Sequence, residues 1–150
     1  MKIVLGGDHS SIEHREIIKA HLEKEGHEVI ETGTNAAKAN YAICGFKVAE
    51  NYLIQKADFG IAICGSGIGI SIAANKVRGI RCALVYNTET ANLARAHNNA
   101  NVVALGSRFT TPDEAVVIID IFIKTEFEKG RHLDRINTIS DYEESCSCED

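Results

Sequence analysis

The stretch F59-G-I-A-I-C-G-S-G-I-G-I-S-I-A-A-N-K76 decides how the chain is to be read. Its first six residues are apolar at every position, so both faces of the strand they form are covered, as in the centre of a parallel sheet. Glycines at alternate positions, Gly65, Gly67 and Gly69, then break the strand and feed a short helix over 69–76. Such a turn leaves unpaired N–H groups pointing at whatever lies beyond the strand end, and without side chains the backbone can approach a ligand closely. This is a nest for a negative oxygen. It lacks the Gly-Lys-Ser/Thr ending of a phosphate P-loop, and it follows the third strand, not the first, which argues against a dinucleotide fingerprint.

Outward from this stretch, strands and helices alternate. Strands are predicted at 2–6, 27–31, 59–64, 81–86 and 101–105. Helices are predicted at 14–25, 46–55, 69–76, 88–97 and from Pro112 to about 127, with a last helical stretch over 133–142. The pattern predicts an α/β fold, a doubly wound, Rossmann-like five-stranded parallel sheet with helices on both faces. The strand order expected is 2-1-3-4-5, with the switch point between strands 1 and 3. At 150 residues the chain reads as one domain over 1–142, followed by an acidic, disordered tail over 143–150 that carries Cys146 and Cys148.

Composition narrows the function. A net charge of −5 gives no reason to expect nucleic acid or an anionic membrane as partner. No apolar run approaches the ~20 residues of a membrane span, and the start KIVLGG does not read as a secretory signal. Five cysteines, an odd number in no disulfide pattern, read as reduced thiols in a cytoplasmic protein.

Ligands of such sheets sit at the carboxyl ends of the strands, near the switch point. Gly6-Gly7-Asp8-His9 ends strand 1 and Cys64 to Gly69 ends strand 3, while Tyr41 and Arg108 follow strands 2 and 5 on the same edge. N–H donors beside a thiol favour its thiolate, so Cys64 reads either as a base towards a carbon-bound proton or as an ordinary buried strand-end cysteine. In the first reading the loop would hold the resulting oxyanion. Ser66 could bond the sulfur or the substrate. Asp8 reads as a helix cap or a catalytic group, and His97 as a helix C-terminal cation or a catalytic group. Arg131, His132 and Arg135 read as a salt-bridged surface or as a phosphate clamp.

Four stretches together resemble the type B ribose-5-phosphate isomerase family, with its relatives the galactose-6-phosphate isomerase subunits: GGDHS at 6–10, ICGSGIGISIAANK at 63–76, HNNANVVALGSR at 97–108 and GRHLDR at 130–135. The resemblance implies aldose–ketose isomerisation of a sugar phosphate through a cis-enediolate, in pentose phosphate metabolism, with no metal and no cofactor. It implies Cys64 as base, His97 as ring-opening acid beside Asn98, and Ser66 and Asp8 as further catalytic groups. His9, Tyr41 and the loop Gly65, Gly67, Ile68 and Gly69 would contact the sugar, with Arg108, Arg131, His132 and Arg135 at the phosphate. The family's usual Asp-Tyr-Pro is replaced here by Asn40-Tyr41-Ala42, with Cys44 two residues on. Relatives that use a Glu as base carry it where this chain has Ile70.

Cys64 is expected at the carboxyl edge and His97 at the opposite one, about 17 Å away along a five-residue strand. The two halves are therefore expected to meet across a homodimer with composite sites, with a tetramer left open. The alternatives are an isomerase of a six-carbon phosphate, such as allose or galactose 6-phosphate, and a non-catalytic sugar-phosphate-binding module. A response-regulator-like domain would need a phospho-acceptor Asp where Cys64 stands.

Overall fold

The computed structural model describes residues 1–146. Its strands are β1 (Lys2–Gly7), β2 (Glu28–Glu31), β3 (Phe59–Cys64), β4 (Cys82–Leu84) and β5 (Val102–Gly106). Its helices are α1 (Ile12–Lys24), α2 (Tyr41–Ile54), α3 (Ile68–Ala74), α4 (Thr88–Ala96), α5 (Pro112–Lys124) and α6 (Arg131–Ser145), with a 3-10 turn at His9–Ser11. Every strand pairing is parallel.

Alternation along the three inner strands divides the core in two. Ile3, Leu5, Ile61, Ile63, Val103 and Leu105 face one side and pack with Ile18, Leu22, Ile119 and Phe122 of α1 and α5. Val4, Ala62, Cys64, Val102 and Ala104 face the other side and pack with Cys44, Val48, Ala49, Ile70 and Ala74 of α2 and α3. Small residues on the second side let α2 and α3 lie close, and Cys64 ends β3 on that face.

The fold class is the expected one, but the sheet order is β2-β1-β3-β5-β4, so the last two strands exchange places. Burial explains the exchange. All five residues of β5 are buried, whereas β4 has shrunk to three half-buried residues, the short form that suits an edge. The switch point between β1 and β3 is unaffected.

Two further boundaries differ from expectation. Helix α2 starts at Tyr41 rather than Phe46, because the Asn40 side chain accepts from the Ala42 N–H and caps it. With alanine after the tyrosine, nothing prevents helix there, and Tyr41 opens the helix instead of lying in the preceding connection. At the other end, α6 runs to Ser145, so residues 143–145 are helical where a tail was expected. Cys146 is its C-cap, and Cys148 lies outside the described residues. No helix among the described residues is long and apolar enough to cross a membrane.

Candidate active site

The ends of β1 and β3 open into a cleft of about 450 Å³. It is lined by Asp8, His9, Ser10, Tyr41, Cys64, Gly65, Ser66, Ile68, Gly69, Ile72 and Arg108. Nine of the residues singled out in the sequence therefore meet in one concavity. Ser10 and Ile72 are additions that no chemical signature marked.

Cys64 is 3 % exposed, yet its side chain forms part of the cleft wall. The Gly67 N–H donates to its Sγ at 3.2 Å. Burial pushes Cys82 up to about 12, and burial, then the charge of Asp8, raises Cys44. Neither lines the cleft. Among the described residues Cys44, Cys64, Cys82 and Cys146 are all free thiols.

The loop after Cys64 is fixed by its own backbone and by β5. Gly67 has φ +79°, the left-handed region, and an added Cβ would come within 2.6 Å of Leu84 Cδ1 and 2.8 Å of the Leu105 carbonyl carbon. Gly67 is thus buried behind the cleft wall, turning the chain so that α3 begins there. Ser66 Oγ accepts from the Ile68 N–H at 3.2 Å, the Ser107 N–H donates to the Cys64 carbonyl at 2.9 Å, and the Arg108 N–H donates to the Gly65 carbonyl at 3.0 Å. Tyr86 Oη donates to the Ser66 carbonyl at 3.3 Å, a support the sequence did not reveal. Gly69 lies directly against the Tyr41 ring, where any Cβ would clash.

Asp8 caps the turn as expected and also reaches the cleft. Its Oδ1 accepts from the Ser10 N–H at 2.9 Å and from Ser10 Oγ at 2.5 Å, capping the 3-10 turn, while its side chain reaches the cleft from a buried position. The neighbouring His9 is exposed, and its Nδ1 accepts from the Ala39 N–H at 3.1 Å, which ties the strand 1 edge to the segment leading into α2. Arg108 is exposed and its guanidinium covers Gly65, 3.3 Å from where a Cβ would stand.

His97, Asn98, Arg131, His132 and Arg135 do not line this cleft. His97 is the C-cap of α4, at the amino edge where β5 begins. There its ring stacks on that of His132, centroids 4.2 Å apart and planes 12° from parallel. Each imidazole Nε2 lies near Glu128 Oε2, at 3.7 Å for His97 and 3.8 Å for His132. Glu128 was missed in the sequence because it sits in a connection with no motif. His132 is held below the ordinary imidazole range, by desolvation first, then by His97 and Arg131, with Glu128 opposing. Arg131 and Arg135 are exposed on the first turns of α6, and Arg135 Nη1 donates to the Arg131 carbonyl at 2.5 Å.

Comparison with known proteins bears on both groups of residues. The family model described as Ribose/Galactose Isomerase matches residues 3–139. The ribose-5-phosphate isomerase B of Mycolicibacterium paratuberculosis is 42 % identical over 146 residues, covering 95 % of this chain and 92 % of that protein. The structure of ribose-5-phosphate isomerase B from Clostridium thermocellum superposes with a TM-score of 0.93 at 44 % identity, over 97 % of this chain and 99 % of the other. That of the Mycoplasma genitalium ribose-5-phosphate isomerase B, which holds bound ribulose 5-phosphate, superposes with a TM-score of 0.91 at 42 % identity, over 95 % and 96 % of the two chains.

Proposed function

The chain belongs to the ribose/galactose isomerase family, and from that premise we propose that it interconverts ribose 5-phosphate and ribulose 5-phosphate through a cis-enediolate. The observation that carries the proposal is the buried Cys64 sulfur in the wall of an open cleft, taking an N–H bond from the loop that follows it. Relatives named for ribose 5-phosphate at this level of identity favour the five-carbon sugar over a six-carbon one. A binding module would need no thiol at the strand end.

In the proposed reaction His97 gives a proton to the ring oxygen, and Asp8 takes the proton of the anomeric hydroxyl, which opens the ring. The Cys64 thiolate then removes the proton on C2, and its electron pair becomes the C1–C2 double bond as the carbonyl oxygen becomes an oxyanion. The loop N–H groups and Ser66 face that oxygen. The O2 hydroxyl then passes its proton to O1, and as the C2 carbonyl forms the C1–C2 electron pair takes the proton back at C1, which gives the ketose. No metal or cofactor enters the scheme. Arg108, Arg131 and Arg135, with His132, bind the phosphate, and this remote binding supports the reacting end. His9 and Tyr41 flank the sugar.

Cys64 and His97 lie at opposite edges of one sheet, so the scheme requires a homodimer in which the His97 group of one chain faces the Cys64 cleft of its partner. Exposed Ile68 and Ile72 on α3 line the cleft, and with exposed Ile43 and Phe46 on α2 they offer apolar side chains for that contact. A cytoplasmic location agrees with the free thiols.

Cys64→Ser tests the role of the sulfur. A hydroxyl is far harder to ionise, so turnover of ribose 5-phosphate should fall by about 10²–10⁴-fold, the range of a lost general base, while substrate binding measured by calorimetry persists. Near-normal turnover would remove Cys64 from the mechanism.

A further inference from the structure

We infer that His97, Glu128 and His132 form an inhibitory site for a divalent transition metal, with Zn²⁺ the ion their donors fit best. The site's existence rests on geometry alone; its effect on turnover rests on the proposed role of His97.

The three donor atoms, two imidazole nitrogens and one carboxylate oxygen, all lie within 4.8 Å of one another. Both imidazole Nε2 atoms approach the same Glu128 Oε2, at 3.7 and 3.8 Å. Zinc bonds to nitrogen and oxygen are about 2.0–2.2 Å long, so donors on a tetrahedral ion stand roughly 3.3–3.5 Å apart. The two imidazole–carboxylate gaps need to close by only a few tenths of an ångström, and the stacked rings, 12° from parallel, must tilt so that both lone pairs reach one ion. Two histidines and one glutamate are also a known open zinc donor set, one that leaves a position for water. Mg²⁺ and Ca²⁺ ask for oxygen ligands and do not suit two imidazoles.

The ligands are held before any ion arrives. The Glu128 N–H donates to the Ala96 carbonyl at 3.0 Å, pinning the segment before α6 to the end of α4 beside His97. Lys129 and Gly130 then take positive φ, +62° and +52°, reversing the chain so that His132 returns over His97. The His132 N–H closes this turn on the Lys129 carbonyl at 3.0 Å. The His132 side chain is 13 % exposed and that of His97 35 %, so both imidazoles are accessible to an ion from solvent. Arg131 and Arg135 oppose a cation there, but both are exposed and screened by solvent, and the Glu128 carboxylate offsets them.

A metal on His97 Nε2 occupies the lone pair that would otherwise carry the proton for ring opening. Zinc therefore acts as an off-switch through the His97 group, with no ligand from Cys64. Glu128 belongs to this site and has no part in the proposed reaction.

The test uses chelator-stripped full-length protein titrated with Zn²⁺, read by calorimetry and by ribose 5-phosphate turnover. Wild type, Glu128→Gln and Cys64→Ser are compared, each rate against its own zinc-free value. Loss of a second-shell partner typically weakens metal binding 10–100-fold, so Glu128→Gln, which weakens a direct ligand, should raise the zinc concentration for half-inhibition and for half-binding by at least about tenfold. Cys64→Ser should keep the calorimetric zinc signal of wild type. Wild type that binds no zinc, Glu128→Gln with undiminished affinity, or Cys64→Ser with the signal abolished would each overturn the inference. The calorimetric arm decides even for a chain that fails to turn over ribose 5-phosphate.

Discussion

At the carboxyl edge of the sheet the candidate chemistry rests on backbone; at the amino edge it rests on side chains. The loop Gly65–Gly69 is positioned by N–H and carbonyl groups bound to Cys64, Ser66 and β5, and its glycines are there because Leu84, Leu105 and the Tyr41 ring occupy the space of a Cβ. The His97 group is instead two stacked rings at helix ends and a carboxylate from the connection between α5 and α6. The difference suits what each end would hold in the proposed reaction. A developing oxyanion is best stabilised by dipoles that cannot reorganise, whereas proton delivery needs a titrating group with access to solvent. Neither edge alone contains both, which is why the comparison turns on whether the two ends act together.

The largest effect tests that directly. Cys64→Ala and His97→Ala homodimers should each lose about 10²–10⁴-fold in turnover. After unfolding and refolding as a mixture, hybrid dimers should regain activity, because one of their two composite sites is intact. Recovery read as rate against mixing ratio, with a maximum near equal parts, joins the two edges across chains. A flat, inactive series would separate them, and a His97→Ala enzyme of normal rate would leave the amino edge outside the reaction.

Gly67→Ala acts on the carboxyl edge alone. Its φ of +79° and the 2.6 Å approach to Leu84 Cδ1 force the loop to shift, which misaligns the N–H on Cys64 and the nest beside it. A lost oxyanion donor costs about 10²–10³ in kcat, and that loss should appear with a smaller change in KM. Zinc binding at the His97 group should be unchanged in the same variant. Equal damage to both would mean that the two edges are not independent.

The same contrast explains what was legible in the sequence. Glycine spacing and strand periodicity are local signals, so β3, the loop after it and the convergence of Asp8, Tyr41, Cys64 and Arg108 could be read without coordinates. The order of β4 and β5 could not. RCALVY and NVVALG are similar apolar runs, and what separates them is pairing: β5 lies between β3 and β4, while Arg81, leading into β4, sends its side chain to the Asn98 and Asn99 carbonyls. Glu128 was illegible for a related reason. Its link to His97 passes through a backbone bond between Glu128 and Ala96, 32 residues apart in sequence, and a short-range pattern carries no trace of it. The start of α2 was legible in principle from Asn40 as a cap, but the apolar spacing beginning at Phe46 drew the boundary too late.

The smallest effect is a control on the carboxyl edge, where stability and chemistry should part. Thr111 and Glu114 form a reciprocal cap at the start of α5, with the Glu114 N–H donating to Thr111 Oγ1 at 3.2 Å and the Thr111 N–H donating to Glu114 Oε2 at 2.7 Å. These bonds, the backbone one first, hold the exposed Glu114 carboxyl below its usual range. A carboxyl lowered in the folded state stabilises fully above its unfolded value, and that contribution fades as pH falls through the folded one. The cap should thus be intact at neutral pH and weaken only below the ordinary glutamate range. Thr111→Ala should cost about 1 kcal/mol, a fall of roughly 2–4 °C in Tm at this chain length, with kcat unchanged because Thr111 does not line the cleft. The deficit between the variant and wild type should narrow in melts taken below about pH 4, as protonation removes the carboxylate half of the cap from both proteins. A kcat that falls with Tm would show that the cleft draws on the α5 cap as well as on its own loop, and the backbone frame at this edge would then extend beyond β5.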